Sequence, residues 1–160
     1  MRQRGAVSAG LLLFRRRDGR LEVLLAHPGG PFWTHRDAGA WTIPKGMVGP
    51  DEDLLAAARR EFAEETGLRP DGPFLPLGSV RQKGGKVIHG WACAGDADAA
   101  GLTSNTTSVE WPPGSGKSIE VPEVDRCGWF APADARAKLN PAQAAFVERL
   151  EVALAGATDG

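Results

Sequence analysis

The chain has no tyrosine, and only two of its 160 residues are cysteine. Cys93 and Cys127 lack Cys-x-x-Cys spacing, which argues against a disulfide framework or a zinc site and leaves buried free thiols as the expectation. Charge of either sign is not in excess: 19 Lys and Arg face 20 Asp and Glu. This excludes a general basic footprint for nucleic acid and a polybasic membrane segment, so any anionic ligand must be met locally. No stretch approaches the roughly 20 apolar residues that cross a bilayer. Met1-Arg2-Gln3-Arg4-Gly5 leads into a strand-like segment and not a signal peptide, so a cytoplasmic protein is expected.

What the chain does hold is 21 glycines and 12 prolines scattered between apolar runs, the mark of many turns. The length suits one domain over residues 1–160, with no internal repeat. Ala6 to Phe14 and Leu21 to His27 read as strands around Asp18-Gly19, a hairpin signal. A long polar loop, 28–40, carries Trp33 and His35. A helix from about Asp53 to Thr66 follows, with Asp51 placed to cap it and Gly67 to stop it. Leu75 to Gln82 and Lys86 to Ala94 read as a second hairpin, Thr103 to Val109 and Arg126 to Phe130 as strands, and Asn140-Pro141 as the start of a closing helix to about Leu154. Strands around one central helix, with another at the end, suit an α/β sheet between helices.

The central helix carries Glu61, Glu64 and Glu65 on one stripe, because residues three and four apart are neighbours at 3.6 residues per turn. Like charges at this spacing repel by roughly 0.2–0.5 kcal/mol per pair, and the negative end of the helix dipole adds to the cost. A hard divalent cation, which takes carboxylate and phosphate oxygens, turns that repulsion into binding. The plain alternative is a wet acidic face on an amphipathic helix whose apolar stripe is Leu55, Ala58 and Phe62.

The wider segment decides between them. It runs Gly46, five residues, Glu52, seven residues, Arg60-Glu61, Phe62, Ala63, Glu64-Glu65, Thr66, Gly67, Leu68, and it resembles the Nudix box at every fixed position. Ser8-Ala9-Gly10 resembles the first strand of Nudix hydrolases, and Trp129-Phe130 with Pro132 and Ala135 resembles their last strand and the turn into the C-terminal helix, so the likeness covers about residues 5–155. It implies a Nudix fold, α/β, with a mixed β-sheet sandwiched between α-helices. It also implies a metal-dependent enzyme, a pyrophosphohydrolase cleaving a nucleoside diphosphate linked to another group X.

On that resemblance Glu61, Glu64 and Glu65 with the Gly46 carbonyl are the metal ligands, for Mg²⁺ or Mn²⁺, with Glu61 and Glu65 foremost. Arg60 and Glu52 orient them. Glu123, six residues before Trp129, stands where relatives often carry an extra acid that completes the metal site or activates water, and Glu120 is its near competitor. Cleavage of a diphosphate needs cations, a positioned water and a carboxylate to take its proton, so Glu65 and Glu123 are the candidate bases. Lys45 is placed to offset charge on outer phosphates.

Trp41-Thr42-Ile43-Pro44-Lys45-Gly46 resembles the box entry of diadenosine and diphosphoinositol polyphosphate hydrolases, which favours a dinucleoside polyphosphate or a nucleoside triphosphate. The absent tyrosine departs from that pattern, leaving Trp33, Trp91 or Trp111 to stack a base, although Trp91 and Trp129 suit a core. Gly114-Ser115-Gly116-Lys117-Ser118 looks like a P-loop but fails on spacing, since Trp111 stands where the first glycine belongs and Pro122 bars a helix. It reads as a flexible loop whose Lys117 can reach phosphate. The expected partner is a small-molecule nucleotide or polyphosphate, with the protein a monomer or homodimer and no nucleic acid or membrane bound. A nucleotide-sensing Nudix domain without catalysis is the alternative, against which the intact box counts.

Overall fold

A computed structural model describes residues 7–158, so the expected strand start at Ala6 and the core boundary near residue 5 lie outside the described residues. Strand β1 (Val7–Arg17) turns into β2 (Arg20–Pro28) at Asp18 and Gly19, whose φ values of 53° and 77° give the doubly left-handed turn that Asp-Gly favours. Then come β3 (Lys45–Met47), α1 (Leu54–Thr66), β4 (Leu75–Arg81), β5 (Val87–Ala94), β6 (Thr106–Glu110), β7 (Ser118–Pro122), β8 (Val124–Phe130), α2 (Pro132–Lys138) and α3 (Ala144–Thr158).

The main sheet runs β4-β5-β1-β2-β8, with β3 also paired to β1. Only β1 and β5 run parallel, so the sheet is mixed. β1 is apolar on both faces because both are covered. Ala9, Leu11 and Leu13 pack with Ala57, Ala58 and Phe62 of α1, whereas Leu12 belongs to the cluster holding Phe146, Val147 and Leu150 of α3. The result is the expected α/β sheet between helices.

One edge of β1 is shared: β3 takes Ser8 to Gly10 and β2 takes Phe14 to Arg17. The segment leading into β3 stays bonded to β2, since Ala26 N donates to Thr42 O at 2.8 Å and Thr42 N to Ala26 O at 2.9 Å, and Pro28, Gly29 and Trp33 of the loop 28–40 line a cavity beside it. Gly10 is required at the split, since a Cβ there would lie 2.5 Å from both the Lys45 Cβ and the Pro44 carbonyl oxygen.

Several expectations need correction. The cap of α1 is Asp53, whose carboxylate accepts from Ala56 N at 3.0 Å, while Asp51 occupies a left-handed turn at φ 63°. The segment read as a flexible loop around Lys117 is the turn of the β6–β7 hairpin, in which Glu110 accepts from the Gly114 and Gly116 amides. Pro132 starts a separate short helix, α2, and Asn140-Pro141 opens a 3-10 turn that feeds α3. Trp91 and Trp129 pack against the core as expected, half-buried, while the deepest tryptophan is Trp41, at 5% exposure. No described helix is long and apolar enough to cross a membrane.

Candidate active site

The Glu61 carboxylate of α1 lies against β3 in the space that a side chain at position 46 would occupy. An added Cβ on Gly46 would stand 1.9 Å from Glu61 Oε1, so only glycine lets that carboxylate lie against the strand. Arg60 sets the rest of the stripe. Its Nε and Nη2 donate to the two Glu52 oxygens at 2.8 and 2.9 Å, and its Nη1 donates to Glu61 at 2.7 Å and Glu64 at 2.9 Å. The repulsion expected along the stripe is therefore partly relieved within the protein. Paired this way, and accepting the Gly49 amide at 2.8 Å, Glu52 has its pKa lowered to about 2, chiefly by the Arg60 hydrogen bonds.

Glu65 is treated differently. It is 7% exposed and accepts only a long bond, 3.3 Å, from Lys45 N. Burial pushes its carboxyl up to about 8, with Glu61 and Glu123 adding to the rise and Lys45 opposing it. Burial likewise raises Glu61, with Glu64 and Glu123 contributing. Sites that force carboxylates together in this way are functional candidates.

These groups border one cavity of about 520 Å³. Glu61, Glu64, Glu65 and Glu123 line it, as do Lys45, Lys86, Gly46 and Trp33. Glu123 is placed by its backbone, whose N–H donates to Asn105 O at 2.8 Å while its carbonyl accepts from Gly29 N at 3.1 Å. Asn105 N in turn donates to the Glu64 carbonyl at 2.9 Å, so the foot of the β6–β7 hairpin is tied to the exposed end of α1. Thr107, Val109 and Val121 of that hairpin form the far wall. Glu120 points elsewhere, accepting from Thr106 and Ser108 on the hairpin itself. Lys117 and Glu52 do not line the cavity: the first belongs to the hairpin turn, and the second backs Arg60.

Lys86 and Ser8 were not singled out for a site by sequence reasoning. Both reach the cavity through the parallel pairing of β1 with β5, a contact across some eighty residues that leaves no local signal. Lys86 has its pKa lowered, first by the neighbouring charge of Lys45 and then by burial.

The donor set suits a hard divalent cation: its side chains are carboxylates, and their crowding is of the kind a cation reverses. Among the described residues no three His, Cys, Asp or Glu side chains already close on one point, because Arg60 holds Glu61 and Glu64.

The NUDIX domain family matches residues 5–150. The chain belongs to that family. Nudix hydrolases generally use divalent metal ions, which agrees with the donor set. An RNA pyrophosphohydrolase of Caulobacter vibrioides is 51% identical over 51 residues, covering 29% of this chain and 30% of the relative. The asymmetrical bis(5'-nucleosyl)-tetraphosphatase of Caenorhabditis elegans is 41% identical over 61 residues, 38% of this chain and 40% of that protein. The matched stretches thus span less than half of these curated relatives. Among solved structures, a C. elegans Ap4A hydrolase binary complex superposes with TM-score 0.65 at 24% identity, over 94% of this chain and 98% of that one. The NUDIX domain of Shewanella oneidensis NrtR complexed with ADP ribose gives 0.67 at 19% identity, over 96% and 90%. At such identities these two likenesses bear on the Nudix fold alone.

Proposed function

We propose that this Nudix protein is a metal-dependent pyrophosphohydrolase that cleaves the diphosphate linkage of a nucleoside diphosphate joined to another group. The observation that carries the reading is the gathering of Glu61, Glu64, Glu65 and Glu123 on one cavity that also contains Lys45 and Lys86. Four carboxylates beside two lysines suit a phosphate chain that arrives with a cation.

Glu61 and Glu65, with Glu64 and the Gly46 carbonyl, would hold Mg²⁺ or Mn²⁺. When bound, the ion supplies Lewis-acid polarisation of the phosphate and lowers the pKa of the attacking water. Arg60 orients Glu61 and Glu64 and is itself fixed by Glu52, so these two position without touching the reacting atoms. Glu123, on the same cavity but outside the Arg60 network, takes the proton from the water. Lys45 neutralises charge on the phosphates, and Trp33 offers its face to a base. The relatives named as an RNA pyrophosphohydrolase and a bis(5'-nucleosyl)-tetraphosphatase support this class of reaction.

The experiment is a phosphate-release assay with Mg²⁺ over dinucleoside polyphosphates, nucleoside triphosphates, ADP-ribose and nucleotide sugars. Turnover of at least one supports the reading. Tight binding of one of them with no turnover of any replaces it with the sensor reading.

A further inference from the structure

His27, the last residue but one of β2, is fully buried, and each of its ring nitrogens faces an acceptor. Nδ1 lies 2.9 Å from Asp125 Oδ1, and Nε2 lies 2.6 Å from the Arg36 carbonyl oxygen. A neutral imidazole has a single N–H and can satisfy only one of these contacts, whereas the imidazolium donates to both. A buried cation needs a paired anion and an acceptor for every donor. Asp125 and the Arg36 carbonyl supply them.

A break in the strand register makes this pairing. His27 is registered with Arg126, yet the next pair is Pro28 with Val124, so Asp125 is an extra residue in β8. Registered residues share a face, and plain alternation would turn Asp125 away from His27; the bulge brings it back. Charged neighbours are Arg126, whose Nη1 lies 3.7 Å from Asp125 Oδ1, and, across Trp41, Asp37 with Lys138. The carbonyl that His27 holds belongs to loop 28–40, where Arg36 N donates to the carbonyl of Trp33 at 2.9 Å. Gly29 N ties the near end of the same loop to the Glu123 carbonyl. Both halves of the loop that carries Trp33 to the cavity are thus fastened to the start of β8.

We propose that His27, as an imidazolium paired with Asp125, is a positioning residue that straps loop 28–40 to β8 and so sets Trp33 against the substrate. The strap rests on hydrogen-bond geometry, and its effect on substrate rests on the hydrolase reading. His27 does not line the cavity, so it acts through the loop.

Nitrogen NMR of the isotope-labelled full chain at neutral pH reads the ring directly. The expected His27 spectrum shows a proton on both ring nitrogens in the parent and on Nε2 alone in Asp125→Asn, whose amide donates to Nδ1. Hydrogen exchange read by mass spectrometry follows the strap. His27→Gln, with His27→Asn as a second variant should the first fold poorly, is expected to speed exchange in loop 28–40 about tenfold, the worth of one charge-assisted hydrogen bond, and to leave α3 at its parental rate. On a nucleotide that the parent turns over, the same variant is expected to raise KM about tenfold with kcat held within about twofold, and to raise it no further when Trp33 is already alanine. A single ring proton in the parent, loop exchange at the parental rate, or an acceleration spread equally over the chain overturns the strap. An equal rise in KM with and without Trp33 overturns the positioning role. If no nucleotide is turned over, the hydrolase reading fails, and the ring and exchange measurements still decide the strap.

Discussion

Glu61 Oε1 lies 1.9 Å from where a Gly46 Cβ would be, so a carboxylate of α1 fills the space of a missing side chain on β3. Gly46→Ala must push the strand or the carboxylate aside. A displacement on the 1 Å scale at a reacting centre costs roughly 100-fold in rate. The expected result is a drop of about that size in kcat with the circular dichroism spectrum retained.

Arg60 is the hub of the carboxylate stripe, with a fork on Glu52 and one nitrogen shared by Glu61 and Glu64. Lysine keeps the charge but cannot reproduce the fork. Arg60→Lys is expected to weaken Mg²⁺ binding about 10- to 100-fold, the usual effect of losing a group that orients metal ligands. Titrating the melting temperature against Mg²⁺ measures it without reference to turnover.

Phe62 holds α1 on the sheet: it is fully buried among Ala9, Leu11, Leu13 and Leu24. Phe62→Ala is expected to cost about 3–5 kcal/mol of unfolding free energy, the range for a large side chain lost from a core. Urea denaturation measures the loss. Because the same helix carries Glu61 and Glu65, activity is expected to fall as well.

The box was legible because its chemistry is local. Gly46, Glu52, Arg60 and the glutamates lie within one short strand, the loop after it and one helix, and fixed spacing puts Glu61, Glu64 and Glu65 on one stripe. The cap was misread by two residues, since Asp51 and Asp53 are equally good capping types and only the backbone turn at Asp51 distinguishes them. The β6–β7 hairpin was hidden by Gly114-Ser115-Gly116, which reads as a loop when its flanking strands are short. Lys86 and Ser8 were beyond reach for another reason. Their meeting depends on a parallel strand pair, and nothing in either segment announces the partner. The role of Arg60 in relieving the acidic stripe also needed coordinates, because a guanidinium on a helix can equally point to water.

Asp37 supplies a pH test away from the cavity. Its carboxylate binds the Lys138 ammonium and accepts the Trp41 indole N–H at 2.7 Å, and the Lys138 hydrogen bond is the main cause of its lowered pKa. A carboxyl held below its unfolded value adds stability that is present above the unfolded pKa, about 3.9, and lost as pH falls through the folded one. Asp37→Asn is therefore expected to lower the urea midpoint at neutral pH, with the gap to the parent closing below about pH 3. A gap of constant size across that range would remove ionisation from the explanation.

The most direct test of the account is Mg²⁺-dependent phosphate release by the parent and by Glu65→Gln on a nucleoside triphosphate or dinucleoside polyphosphate. Glu65 is buried at the cavity with a carboxyl that its surroundings disfavour as an anion, an arrangement that a bound cation explains. The account predicts turnover by the parent that depends on Mg²⁺, and a loss of at least about 100-fold in the variant with its fold intact. Parental turnover by Glu65→Gln, or a parent rate unchanged by chelation of the metal, would contradict it.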